Sequence, residues 1–295
     1  MTPRRPWRGF VSAHGHPLWH AWTMPVWTCL TCGNQHADTP DPPVSCAICT
    51  DERQWVPPGG QRWAKTADLA AMGHRSDVRP VEPRLFGVGA TPSVAIGQRA
   101  LVVQTDAGNV MWDPPGFIDA DAISTVRAIG GLKAISASHP HFYGTMMDWA
   151  EAFDAAIFIP EADQQWLMRP GRAVNLWSGR LELLPGVTLV QCGGHFDGSA
   201  VLHWAEGADG GGALLAGDTI MVTPGEDRVT FLRSAPNRLP LPRSLVEGVM
   251  AALDGLEYDR IYSGWWEPTI HSGARAIVQQ GAARYIQWLT GDALH

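Results

Sequence analysis

The sequence predicts a mixed α/β domain behind a small cysteine-rich metal module. Apolar runs of strand length alternate with amphipathic runs of helix length from Leu85 to near the C-terminus. Two Cys-x-x-Cys pairs stand ahead of that pattern. Residues of metal-binding type close several of the predicted strands, His139 and His141 foremost.

Composition narrows the function. A chain of 295 residues has room for one large domain and a small module. Hydrophobic residues make up 45% and charged residues 17%, the balance of a folded, soluble protein. The net charge is −7, and no basic run stands out beyond Arg4-Arg5, which argues against a nucleic-acid surface. No stretch reaches the ~18 apolar residues of a membrane span. Arg4-Arg5 is followed by polar, His-rich sequence rather than a signal peptide's apolar core. The expectation is a cytoplasmic protein with a small-molecule substrate and no nucleic-acid or membrane partner; a homodimer is compatible with this.

Residues 1–23, with His14, His16 and His20, have no helical or strand period and read as an extension. Residues 24–60 form the metal module. Cys29-x-x-Cys32, a thirteen-residue spacer and Cys46-x-x-Cys49 give two thiolate knuckles, a tetrahedral sulfur site. So short a segment buries too little apolar surface to fold alone, and a metal supplies the missing stability. Zinc makes the site structural and iron makes it an electron carrier; zinc is the commoner use. Pro57-Pro58-Gly59-Gly60 leads out of the module. Residues 61–84 read as a connector with a short helix at 66–72, and 85–295 as the large domain.

Within that domain, strands are predicted at 85–88, 93–96, 100–105 and 110–113, the last two joined by a hairpin turn. Asp113 ends the return strand. A helix capped by Asp121 carries Ile123, Val126 and Ile129 on one face and stops at Gly130-Gly131. The strand 132–137 runs into His139-Pro140-His141, and a helix at 143–153 follows. In extended backbone, residues i and i+2 point to the same side, so the two imidazoles converge. Strand 155–159, helix 161–168 and the strand pair 180–184 and 187–191 come next. The pair leads to Cys192-Gly193-Gly194-His195, where Cys192 reads as a small buried residue. Strands at 200–204 and 213–216 follow, the second ending at Gly217-Asp218. A helix at 241–256, a strand at 258–262 and a helix at 272–290 complete the pattern.

Asp113, His139-x-His141, Gly193-Gly194-His195 and Gly217-Asp218, in this order, resemble the motifs of the metallo-β-lactamase superfamily over residues 85 to about 291. The cysteine knuckles resemble those of zinc ribbons and rubredoxins. The first resemblance implies a four-layer αββα sandwich with metal at one edge between two sheets. It implies His139, His141, His195 and Asp218 as metal ligands, with Asp113 orienting a ligand from behind. Two departures stand out. Tyr143 and Gly144 replace the aspartate and last histidine of the superfamily's His-x-His-x-Asp-His. Gly264-Trp265-Trp266 replaces its C-terminal histidine, and His271 is the nearest histidine. A single-metal site follows, unless His271 reaches in.

Three imidazoles and a carboxylate on one Zn2+ (Fe2+ or Mn2+ being alternatives) leave room for water, whose pKa zinc lowers to about 7. The expected activity is hydrolysis of an ester, lactone or thioester-type small molecule by a single metal-bound hydroxide. Asp218 and Tyr143 are the candidate catalytic residues; Tyr143 either donates to the oxyanion or leaving group or packs beneath the loop. A mononuclear non-haem iron oxygenase or redox enzyme on the same ligands is one alternative, and a non-catalytic binding protein with a degraded site is the other. Trp166, Trp177, Trp265 and Trp266 pack the core or wall a pocket.

Overall fold

Alternating apolar side chains along the strands decide the architecture. A computed structural model describes residues 26–292 of the chain. The expected N-terminal extension and its histidines lie outside the described residues. The module begins with β1 (Trp27–Cys29) and β2 (Gln35–His36), then α1 (Ala47–Thr50) and β3 (Trp63–Ala64); the strands pair in the order β2-β1-β3. After α2 (Thr66–Ala71) come β4 (Arg75–Glu82), β5 (Leu85–Thr91), β6 (Ala100–Thr105) and β7 (Gly108–Trp112), an antiparallel run. Helix α3 (Ala120–Ala128) leads to β8 (Ala134–Ser136), and α4 (Met146–Phe153) to β9 (Ala156–Pro160) and β10 (Val174–Trp177). These last three strands are parallel, so the first sheet is seven-stranded, β10-β9-β8-β7-β6-β5-β4.

The second sheet comprises β11 (Arg180–Leu184), β12 (Val187–Gln191), β13 (Ala200–Trp204) and β14 (Ala213–Leu215), continued by later strands. Four short strands intervene: β15 (Met221–Val222), β16 (Val229–Thr230), β17 (Leu232–Ser234) and β18 (Leu239–Pro240). After α5 (Arg243–Ala252), β19 (Arg260–Tyr262) and β20 (Thr269–Ile270) complete a six-stranded sheet, β11-β12-β13-β14-β19-β20. Helix α6 (Ala274–Thr290) closes the chain.

Strand periodicity sorts the side chains into layers. On β6, Leu101 and Val103 pack with Leu189, Leu202 and Leu215 of the other sheet, while Ala100 and Val102 pack with Val126 of α3 and Trp149 of α4. On the far side, Val201, Leu214 and Ile261 meet Val246 and Val249 of α5 and Val278 of α6. The result is the expected αββα sandwich. Among the described residues no helix is long and apolar enough to cross a membrane.

Several local expectations change. The 61–84 segment expected as a connector holds β3 of the module and β4 of the first sheet. Residues 93–96 turn instead of extending, because Ala95 takes φ 53° and Gly97 N–H bonds the Val94 carbonyl. Helix α3 is capped by Asp119, not Asp121: its Oδ1 accepts from Ala122 N at 2.8 Å, and its Oδ2 accepts from Ser76 N of β4. The helix expected from 143 starts at Met146. Residues Glu161–Trp166 form a 3₁₀ rather than an α-helix.

Candidate metal centre

His139, His141, His195 and Asp218 come from three loops at one edge of the sandwich, and their ligand-type atoms all lie within 4.8 Å of one another. The two neighbouring histidines converge, though not along an extended strand. His139 is extended, and Pro140–Phe142 is a 3₁₀ turn whose proline fixes the bend. Their ring centroids are 4.9 Å apart. His195 Nδ1 lies 2.9 Å from the Leu232 carbonyl, to which it can only donate, so Nε2 faces the cluster. That Nε2 is 3.4 Å from His141 Nδ1 and 3.9 Å from Asp218 Oδ2. His139 Nε2 is 3.6 Å from the same carboxylate oxygen. Tetrahedral zinc with bonds of 2.0–2.1 Å spaces its ligand atoms roughly 3.3 Å apart.

Asp113 acts at one remove. Its Oδ1 accepts from Ser138 N at 2.6 Å, and Ser138 Oγ lies 2.9 Å from His139 Nδ1. That chain fixes the His139 ring with Nε2 inward. All four cluster residues are at most 5% exposed. Burial, reinforced by the neighbouring His195, holds His139 and His141 well below the usual histidine range, and burial lowers His195 to about 4. Burial also pushes Asp218 up to about 7 and Asp113 to about 8. The imidazoles are therefore neutral, the form that binds metal. His139 Nε2 faces the cluster without a hydrogen-bond partner, and His195 Nε2 meets only His141 Nδ1 and Asp218 Oδ2, a donor set that a cation satisfies. Phe142 and Phe196 pack on the His139 ring at 4.4 and 5.8 Å and make the surroundings apolar.

The second cluster is Cys29, Cys32, Cys46 and Cys49, all buried and free of disulfides. Cys29 Sγ is 3.6 Å from Cys49 Sγ, and Cys32 Sγ 3.8 Å from Cys46 Sγ. Tetrahedral zinc with bonds near 2.3 Å separates sulfurs by roughly 3.8 Å. Hydrogen bonds from Cys29 and then Cys32 and Cys49 draw the Cys46 thiol far below its usual range. His36 Nε2 sits 3.3 Å from the same sulfur. Both clusters are thus suited to metal ions.

The module sits against the histidine centre. Asn34 Nδ2 donates to the His141 carbonyl at 3.2 Å, and Asn34 Oδ1 accepts from Gly144 N at 2.9 Å. Arg53, held by Asp51 at 2.6 and 3.0 Å, reaches the His195 carbonyl at 3.4 Å and lies 3.8 Å over the Phe196 ring. Nothing in the sequence marks Asn34 or Arg53 for this; only Ser138 sits where adjacency to His139 hints at its part.

The two atypical positions have structural causes. Gly144 takes φ 45°, and a Cβ there would overlap the Pro114 carbonyl oxygen and come within 2.5 Å of that of Pro115. No histidine fits, and the same turn delays α4. The Tyr143 side chain is buried; it lines a small cavity with Asn34, Ile48 and Trp166 of the module interface, and its hydroxyl is unpartnered. Trp265 donates to the Ile96 carbonyl and packs on Phe142. His271 is exposed and lines a different cavity, so it does not join the cluster. Trp177 is core, Trp166 lies under Arg53, and Cys192 is half-buried at the end of β12.

One relative settles the family. YmaE of Bacillus subtilis (strain 168), itself uncharacterized, is 42% identical over 274 residues, which cover 92% of this chain and 100% of YmaE. The chain belongs to the YmaE family. No protein-family model matches it. Among solved structures, VMB-1 superposes with a TM-score of 0.55 at 12% identity, over 73% of this chain and 98% of that one. DIM-1 metallo-β-lactamase superposes with 0.54 at 14% identity, over 71% and 96%. A B3 metallo-β-lactamase with an active-site glutamic acid gives 0.50 at 18% identity, over 74% and 91%. This chain therefore has the metallo-β-lactamase fold.

Proposed function

We propose that the chain is a metal-dependent hydrolase that uses one Zn2+, held by His139, His141, His195 and Asp218, on an ester, lactone or thioester-type small molecule. A single observation carries this reading: three neutral imidazoles and a carboxylate converge at the sandwich edge, their ligand-type atoms all within 4.8 Å of one another. When bound, a zinc ion supplies acidified water and polarises a carbonyl. The chain's own groups do the rest. The Leu232 carbonyl holds His195 in one tautomer, and Ser138 holds the His139 ring in its orientation. Asp218 is left with an unpartnered Oδ1, which can orient incoming water by accepting its proton in a hydrogen bond. Phe142 and Phe196 exclude bulk water from the imidazoles and strengthen every charge interaction among them.

A count of one metal is supported by the crowded carbonyls around Gly144, the committed Trp265 and the distant role of His271. One cation suits acyl transfer, whereas phosphodiester cleavage profits from two. The four-cysteine cluster we assign to a structural zinc. Metal analysis of protein purified with and without oxygen, paired with assays on aryl esters, lactones and thioesters, tests the whole reading. Two zinc per chain with hydrolysis supports it. Iron at the histidines would point to oxygen chemistry instead, and metal in the cysteines alone to a binding protein.

A further inference from the structure

A second polar site lies away from the histidines, at the edge where β4 and β5 face β19 and β20. There a cavity of about 390 Å³ is lined by Arg79, Arg99, Arg260, Trp266, Glu267 and His271, among others. Arg99 is its unusual member. The side chain is 1% exposed, yet its Nε and Nη1 have no hydrogen-bond partner. A buried guanidinium is normally paired, because leaving it unpaired costs several kcal/mol. The other cations are already matched: Arg260 pairs with Glu82, and Arg79 with Asp77. Asp113 attracts Arg99 through space but spends its Oδ1 on Ser138 N. Glu267, the acid on the wall, also attracts Arg99 through space and makes no hydrogen bond to it.

The cavity is built rather than incidental. The Trp266 ring has the Arg79 guanidinium 4.4 Å and the Arg99 guanidinium 5.7 Å from its centroid. A side chain at Gly87 of β5 would collide with that ring, so the strand leaves space for it. Arg99 N–H bonds the Gly264 carbonyl at 2.8 Å, tying the guanidinium's own backbone to the loop that carries Trp266. Guanidinium N–H groups without an acceptor call for one, best an anionic one, and an indole wall calls for an apolar body. The volume suits a small organic molecule.

We propose that this cavity binds a small organic carboxylate, its anionic group against Arg99 and its apolar part along Trp266. The cavity shares no lining residue with the histidine cluster. Calorimetric titration with benzoate tests it on three proteins. Wild type and His139→Ala should bind benzoate alike, and Arg99→Met should bind at least about tenfold more weakly. No binding to wild type, equal binding by Arg99→Met, or loss of binding in His139→Ala would each overturn the proposal; the last would place the carboxylate on the metal. If Arg99→Met fails to fold, wild-type crystals soaked in 4-bromobenzoate decide the matter. A bromine peak beside Trp266 supports the site, and a peak elsewhere or none refutes it.

Discussion

The cysteine cluster draws all its ligands from between Cys29 and Cys49, while the histidine cluster gathers its own from between His139 and Asp218. The first can form from local chain alone. The second exists only after both sheets have packed and three loops have met. The cysteines offer four thiolate sulfurs that fill a tetrahedron. The histidines offer neutral rings and one carboxylate whose burial is unfavourable without a cation. The contrast teaches that a closed site stabilises the fold, and that the fold has to hold an open one together. Here the closed site helps: Asn34 and Arg53 pass its rigidity to the loops of His141 and His195.

Breaking the closed site should have the largest effect. Cys46→Ser should cost several kcal/mol and reduce metal content at both clusters, read by metal analysis and thermal unfolding. Full retention of the histidine-bound metal would sever the link between the two regions. His139→Ala comes next. It should remove one metal equivalent and hydrolysis while the cysteine-bound equivalent stays; unchanged metal content would sink the ligand assignment.

Asn34→Ala tests the link itself. It leaves Gly144 N and the His141 carbonyl unpaired, at about 2–3 kcal/mol. Metal affinity at the histidines should fall about tenfold, with stoichiometry at saturation unchanged. Equal affinity in a folded variant would show that the module contributes nothing to the centre.

A pH titration sharpens the comparison further. In the metal-free chain burial raises Asp218 to about 7, above the unfolded value of ~3.9. Between these values the folded state keeps a proton that the unfolded state has lost, so this group lowers metal-free stability as pH rises through that window. A bound cation holds the carboxylate ionised. Affinity should therefore fall about tenfold per pH unit below about 7, as the proton competes. Asp218→Asn should flatten that slope, and a slope that persists would assign the proton elsewhere. The smallest change is expected from Tyr143→Phe. With its ring in the module interface, the variant should keep kcat within about threefold; a larger fall would put the hydroxyl at the substrate.

Much of this was legible in the sequence. The strands from β6 to β9 and β11 to β14 follow alternation or continuous apolar runs, and they fall close to where those runs place them. The cluster of His139, His141, His195 and Asp218 was readable because glycine and histidine mark strand ends. Short strands such as β15 to β18 carry too few residues for any period. Strand β4 hid because its mix of Arg75, Asp77, Arg79 and Pro80 is that of an exposed edge. The support of the site was equally silent. Asn34 and Arg53 act through backbone carbonyls and amides of distant loops, and such contacts leave no spacing to recognise.

The Arg53 contact also says something about timing. It joins residues 142 positions apart, and the neighbouring bond from Asn237 to Glu52 spans 185. As the chain leaves the ribosome, the cysteine module is complete before any strand of the second sheet has been made. Its partners on the second half of the chain are made 142 to 185 residues later, and closing so long a loop is slow. The histidine pocket thus assembles only once residues from His139 to Asp218 have met the module made long before them.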